Sequence, residues 1–307
     1  MTSIERIEKI FDFKKPDRVG IMDDFDESTV SRWKKEGAIP QESNPGDCLD
    51  LDIRLFGFDH SFIIGGKNIV SLERMEKPST GEALADGYGK ARDEEIFTAL
   101  SLMEPFEHIS SIMGKEDVLA MMASEASRAA NLFADSLEFT LNTCQFLFDK
   151  GYRFDGAWIF GDLGYKDSLY FSTDYYNAFL FDLHKEMCDF FGQKGMPATL
   201  HSHGNVSDIV PHVIEAGFRA IEPLENGVGL DLAKLKKTYG RDLVLIGGVD
   251  VLSFEVFNTA VDEIKKKLQY LKGDGGYIYR ADSPIFKDMD FGNYKSIIEI
   301  VKEYGQY

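Results

Sequence analysis

The sequence predicts a (β/α)8 TIM barrel with an N-terminal helical extension, residues 1–307 forming a single barrel domain. Three observations lead there. A chain of 307 residues is long for one compact domain unless that domain is a barrel. From Lys115 onward apolar strand-like runs alternate with helical stretches, several of which end on glycine, as repeated βα units of a parallel sheet require. The first candidate strand, VGIMDDF, runs into DES rather than a glycine-rich phosphate loop, which disfavours a doubly wound open sheet.

Taken in order, Thr2 and Glu5 form a capping box, and Ile4, Ile7, Ile10 and Phe11 give one helical stripe that ends at KKPDR. VGIMDDF is the first strand, STVSRWKKEG a helix, and FDHSFII the next strand. Between residues 66 and 105, NIVSLERMEK, the turn-like GYGKARD and EEIFTALSLM fit either a hairpin excursion or part of the barrel. A long helix from Glu116 to about Gly151 then leads into the strand DGAWIFGDLGY. After it come the helix TDYYNAFLFDLHKEMCDFFGQKG, the strand PATLHSH, the helix VSDIVPHVIEAG and the strand FRAIEPLE. DLAKLKKTYG, DLVLIGGVD, SFEVFNTAVDEIKKKLQYLKG, GGYIYRADS and NYKSIIEIVKEYG complete the helix and strand alternation.

Composition narrows the function classes. A hydrophobic fraction of 44% with 28% charged residues suits a globular chain with a sizeable core. A formal net charge of -18 argues against tracking nucleic-acid phosphates or an anionic membrane. Cys48, Cys144 and Cys188 form no CxxC pair, which suggests neither a disulfide framework nor a thiolate cluster. No stretch approaches the ~18 apolar residues of a membrane span, and the first residues lack a signal-peptide core. The expected location is cytoplasmic, and a homodimer is the candidate assembly.

In a barrel the chemistry sits where strands pass into their following loops. The strand ends here carry Asp23 and Asp24, Asp162, His201 and His203, Glu222 and Glu225, Asp250, and Asp282 and Ser283. Polar loops and helix-capping aspartates account for some of these, Asp250 before SFEVF among them. The histidines are different: at i and i+2 of a strand, His201 and His203 point to one face, a geometry suited to a metal. Glu222 or Glu225 at the neighbouring strand end could complete a His-His-carboxylate set, which suits zinc or a non-haem iron equally.

The runs DGAWIFGDLGYKDSLYFSTDYY, LHSHGNVSDIVPHVIEAGFRAIEPLENGVGLDLAKLKKTYGRDLVLIGGVD and GGYIYRADSPI, with the opening ERIEKIFDFKKPDRVGI, closely resemble the uroporphyrinogen decarboxylase superfamily. The likeness covers essentially the whole chain and is closer to the corrinoid-linked, zinc-dependent methyltransferase branch. That branch implies a barrel whose zinc is held by a His-x-Cys pair, a cysteine near the last strand and a glutamate. Carried over by position, His201 matches the histidine, His203 stands at the first cysteine, Glu225 matches the glutamate, and Ser283 stands at the final cysteine. The decarboxylase branch implies an arginine-rich segment after the first strand, where MDDFDESTVSRWKKEG places acids that repel a polycarboxylate substrate.

The resemblance therefore implies a metal-assisted methyltransferase that moves a methyl group from a small O-methyl donor to the cobalt of a corrinoid protein, with cobalamin carried by that separate partner. His201, His203 and Glu225 would hold zinc, and Asp162 and Asp250 would orient substrate or relay a proton. Tyr165 and Tyr170 would wall the cleft or, as tyrosines more often do, simply pack. The alternatives are a decarboxylase-like lyase without metal, in which the histidines act as acid and base, and a non-catalytic homologue.

Overall fold

The computed structural model describes residues 1–58, 84–251, 257–285 and 289–307. Its strands are β1 Gly20–Ile21, β2 Ile53–Gly57, β3 Phe97–Met103, β4 Gly156–Phe160, the short β5 Gly164–Tyr165 and β6 Ser168–Leu169, β7 Ala198–His201, β8 Ala220–Glu222, β9 Val244–Ile246 and β10 Tyr277–Tyr279. Eight of them are parallel and form a nearly closed barrel alternating with helices, the predicted (β/α)8 architecture. β5 and β6 form a separate antiparallel hairpin. The chain divides into two compact units, one of residues 55–220 and one of residues 1–54 with 221–307.

In the first unit, β3 pairs with β4 from Ala99↔Gly156 to Met103↔Phe160, and β4 pairs with β7 up to Phe160↔His201. β4 and β7 are buried almost throughout, which is why GAWIF and ATLH read as continuous apolar runs rather than alternating ones. The long helix expected from Glu116 is two helices, Lys115–Ser124 and Ala126–Asp149, broken at Glu125 with φ -133°. Each half buries its own stripe, Val118, Met121 and Met122 in one and Ala129, Phe133 and Leu137 in the other. TDYYNAF and FDLHKEMCDFFG are likewise two helices, Thr173–Phe179 and Phe181–Gly192.

GYGKARD, read as a turn, lies in the helix Leu84–Asp93. Tyr88 accounts for the override of two helix-disfavouring glycines: its hydroxyl donates to the Arg153 carbonyl at 2.6 Å and accepts the Arg153 N–H at 2.8 Å. Its ring meets those of Tyr152 and Phe154 at 5.1 and 5.4 Å. EEIFTALSLM contains β3. FDHSFII from Asp59 onward, NIVSLERMEK and the start of the helix after β9 lie outside the described residues. The strand that the structure shows here is β2, just upstream, whose alternation is hidden by Arg54, an inward-buried cation paired with Asp47.

In the second unit, β1 pairs with β10 and β10 with β9. The helix Ser3–Phe11 precedes β1 with its capping box formed as read from the sequence. It packs on β1 so closely that a Cβ at Gly20 would lie 2.6 Å from Ile7 Cδ1. Asp52 locks this corner: fully buried, it accepts hydrogen bonds from Ser3 Oγ at 2.9 Å, Arg6 at 2.7 Å, Arg18 at 2.6 Å and the Ile21 N–H at 2.8 Å. Among the described residues no helix is long and apolar enough to cross a membrane.

Removing one member of a buried ion network leaves the others desolvated and uncompensated, at a cost of ~3–5 kcal/mol. Asp52→Ala is therefore expected to lower unfolding free energy by about that amount in a urea titration. A loss below ~1 kcal/mol would show that Arg6 and Arg18 find water instead.

Candidate metal centre

The site is built from the ends of β4 and β7, which the register Phe160↔His201 aligns. The Gly161 N–H donates to the His201 carbonyl at 3.0 Å, one step beyond β4 itself, and this extends the pairing into the loop carrying Asp162. His201 is the last residue of β7, almost fully buried, its ring stacked on Phe160 at 3.8 Å between centroids and 14° between planes. The strand ends there; His203 lies two residues on, before the bend at Gly204, and its ring comes to the same side as that of His201. Ser202 is buried and its Oγ accepts the Leu163 N–H at 2.9 Å, while the His203 N–H donates to Asp162 Oδ1 at 3.1 Å. The imidazole rings meet edge to face, 4.9 Å apart.

Asp162, His201 and His203 each offer a ligand atom, and these atoms all lie within 4.8 Å of one another. Asp162 Oδ1 is 3.7 Å from His201 Nε2. A tetrahedral ion with ligand bonds of ~2.1 Å needs donors ~3.4 Å apart, so the set must draw in by up to ~1.4 Å to close on an ion. Two imidazole nitrogens and one carboxylate oxygen are a donor set that zinc accepts, with one position open. Of the residues singled out from the sequence, these three gather. Glu225, half-buried in the loop after β8, Asp250 after β9 and Ser283 after β10 belong to the other compact unit. Tyr165 is 53% exposed, with its ring 5.6 Å from that of Tyr170.

Several residues that support the site were not singled out from the sequence. Glu104 is fully buried at the start of the helix Pro105–Met113, where it accepts the Phe106 N–H at 2.8 Å and lies 3.4 Å from His184 Nε2. It packs under the Asp162 turn, since a Cβ on Gly161 would fall 2.1 Å from Glu104 Cγ. His184 Nδ1 is 3.0 Å from the Tyr176 hydroxyl, whose pKa burial pushes far up, so that this phenol stays protonated. Lys115 pairs with Glu107 at 3.0 Å, donates to the Asp162 carbonyl at 3.2 Å and stands 4.7 Å from the Tyr170 ring centre. Burial raises the Glu107 carboxyl above its ordinary range, with Lys115 opposing and Glu104 and Asp162 adding to the rise. The proline that opens the helix after Glu104 is a helix-start signal legible in advance; the buried Glu104 carboxylate and the Lys115 bridge carry no such signal.

A barrel with a candidate metal centre at the ends of two adjacent strands is the class of protein that fold and site define. The chain belongs to the uroporphyrinogen decarboxylase (URO-D) family, whose sequence profile matches residues 90–304. Among solved structures it is similar to a methyltransferase from Methanosarcina mazei, with 16% identity over 99% of both chains and a TM-score of 0.73. A B12-independent methionine synthase from Shewanella sp. W3-18-1 in complex with selenomethionine aligns over 75% of this chain and 67% of its own at 11% identity, with a TM-score of 0.40. A 7,8-dihydropteroate synthase from Vibrio fischeri ES114 aligns over 95% and 92% at 13% identity, with a TM-score of 0.39. The first likeness is one of fold. Among curated proteins the sequence finds no match.

The hairpin of β5 and β6 is pressed onto the loop after β7. A Cβ on Gly164 would lie 2.4 Å from the His203 carbonyl oxygen, and Gly204 holds φ +78° against the same backbone. Gly164→Ala must therefore displace the His203 turn, at ~1–3 kcal/mol of stability. Added zinc should raise its unfolding midpoint less than it raises that of wild type. Gly192→Ala, on a helix with nothing within 4 Å of the new methyl, is expected to be neutral or stabilising by up to ~1 kcal/mol. Equal zinc responses in wild type and Gly164→Ala would show that the hairpin does not set the donor geometry.

Proposed function

We propose that this protein is a metal-assisted methyltransferase that moves a methyl group from a small O-methyl donor to the cobalt of a separate corrinoid protein. Membership of the URO-D family and the shared fold with the Methanosarcina methyltransferase support the reading. The observation that carries it is the convergence of Asp162, His201 and His203 at the ends of β4 and β7.

The donor set bears on the reaction. Two neutral imidazoles and one carboxylate would leave a bound zinc with about one net positive charge, a Lewis acid suited to polarising an ether or alcohol oxygen as its methyl departs. The chain's own groups do the positioning. Phe160 fixes the plane of the His201 ring by stacking, and the His203 N–H fixes one Asp162 oxygen. Lys115 holds the Asp162 carbonyl, so that carboxylate and imidazoles converge without a large loss of side-chain freedom at binding. Glu104 beneath Gly161 fills the space in which the turn could otherwise relax. The proposed donors all come from residues 55–220; Glu225, Asp250 and Ser283 are not drawn upon.

A lyase working without metal is favoured by the decarboxylase description of the family. Against it stands the state of the cation beside the acids after β1: Arg280 is buried and already paired with Asp24 and, at 2.8 Å, with Glu222, so it is held by carboxylates of the chain itself rather than offered to a polycarboxylate.

Protein purified without chelator is expected to carry about one zinc per chain by mass spectrometry, lost in His201→Ala together with methyl transfer to an added corrinoid protein. Full zinc and full activity in His201→Ala would overturn the assignment of ligands. Decarboxylation of a carboxylate substrate by metal-free wild type, without methyl transfer, would favour the lyase.

A further inference from the structure

Away from the strand ends that carry Asp250 and Asp282, the unit of residues 1–54 and 221–307 contains a cavity of about 650 Å³. It lies at the opposite ends of β9 and β10, between the helix Leu232–Tyr239 and the turn before β10. Phe13, Lys236, Lys237, Thr238, Arg241 and Gly275 line it, with the acids Asp242 and Asp274 at the same wall. Its volume falls in the range of small-molecule sites, ~300–1,000 Å³.

The charges there are unusual for a chain of net charge -18. Asp274 is already paired with Lys15 at 3.1 Å. Lys236 is half-buried, and its ammonium donates to the Gly275 and Gly276 carbonyls, at 2.5 and 3.2 Å. Burial pushes it down to about 8, with Asp274 opposing the fall. Lys237 and Arg241 are exposed, and among the described residues neither they nor Lys236 lie within ion-pair distance of a carboxylate. Three cations thus face one cavity with two acids, and Asp274 is shared among Lys15, Arg241 and Lys236, so the wall keeps a positive excess that an oxyanion would stabilise; an arginine fork matches phosphate oxygens in pairs.

We propose that this cavity is a second binding site, for a small molecule bearing a phosphate group, gripped by Lys237 and Arg241, with Lys236 behind them. The Phe13 side chain offers an apolar surface for the organic part of the ligand. The arginine fork and two ammonium groups offer more N–H donors than a single carboxylate can use, which favours the several oxygens of a phosphate. The site is independent of the metal centre and of the reaction proposed there.

AMP is the probe. Calorimetric titration of the full chain is expected to show one site, and the double variant Lys237→Ala with Arg241→Ala to bind about a hundredfold more weakly, as the loss of two charge-assisted contacts implies. Both side chains are exposed, so the variant folds, and a circular dichroism spectrum checks this. His201→Ala is expected to bind AMP as wild type does, which separates this site from the metal centre. Undetectable binding at millimolar AMP, equal affinity in the double variant, or loss of binding in His201→Ala would each overturn the proposal.

Discussion

The pairing of β4 with β7 is the constraint on which the candidate site depends. Five residues of β4 and four of β7 run parallel and buried, and their register sets Phe160 beside His201. A slip by one residue would turn His201 away from the Phe160 ring and carry Asp162 past the His203 N–H. The Gly161 N–H continues the ladder onto the His201 carbonyl, so the loops begin with their first residues already fixed. Everything beyond is short-range: Ser202 to Leu163, His203 to Asp162, and the Gly164 backbone against Gly204.

Glycine recurs at these contacts for a steric reason. At Gly161 and Gly164 a methyl group would enter space held by Glu104 and by the His203 carbonyl. Two loops can thus approach at backbone distance and leave their polar side chains converging on one point. The buried carboxylate of Glu104 is expensive to desolvate, and it is held by a helix N-terminus and by His184. Its placement under the Asp162 turn makes it a positioning residue: it acts through Gly161 rather than on a ligand.

Much of this was legible in the sequence, and the parts that were not have identifiable causes. The barrel showed itself through apolar runs such as GAWIF and ATLH, whose burial on both faces leaves no polar alternation to confuse the reading. His201, His203 and Asp162 were recognisable as strand-end polar groups. Strand alternation predicts both imidazoles on one face, and their rings do meet 4.9 Å apart although β7 itself ends at His201. The sequence suggests for Asp162 a role in orienting substrate; the tertiary pairing of β4 with β7 is what sets its carboxylate beside the imidazoles. β2 carries a weak signal because Arg54 interrupts its apolar pattern, and the helix Leu84–Asp93 carries one because the contacts of Tyr88 outweigh its glycines. Long-range partners such as Lys115 and Asp52 have no local signature at all.

The central claim is that a metal is held by two imidazoles and a carboxylate, without thiolate. Cys144 and Cys188 are buried, and burial pushes both thiols well up from their ordinary range, which suits packing rather than ligation. X-ray absorption at the zinc edge of the zinc-loaded protein tests the claim most directly. The account predicts a first shell of nitrogen and oxygen only, at ~2.0–2.2 Å, with the outer-shell scattering of two imidazole rings. A sulfur shell at ~2.3 Å, or the absence of imidazole scattering, would contradict it.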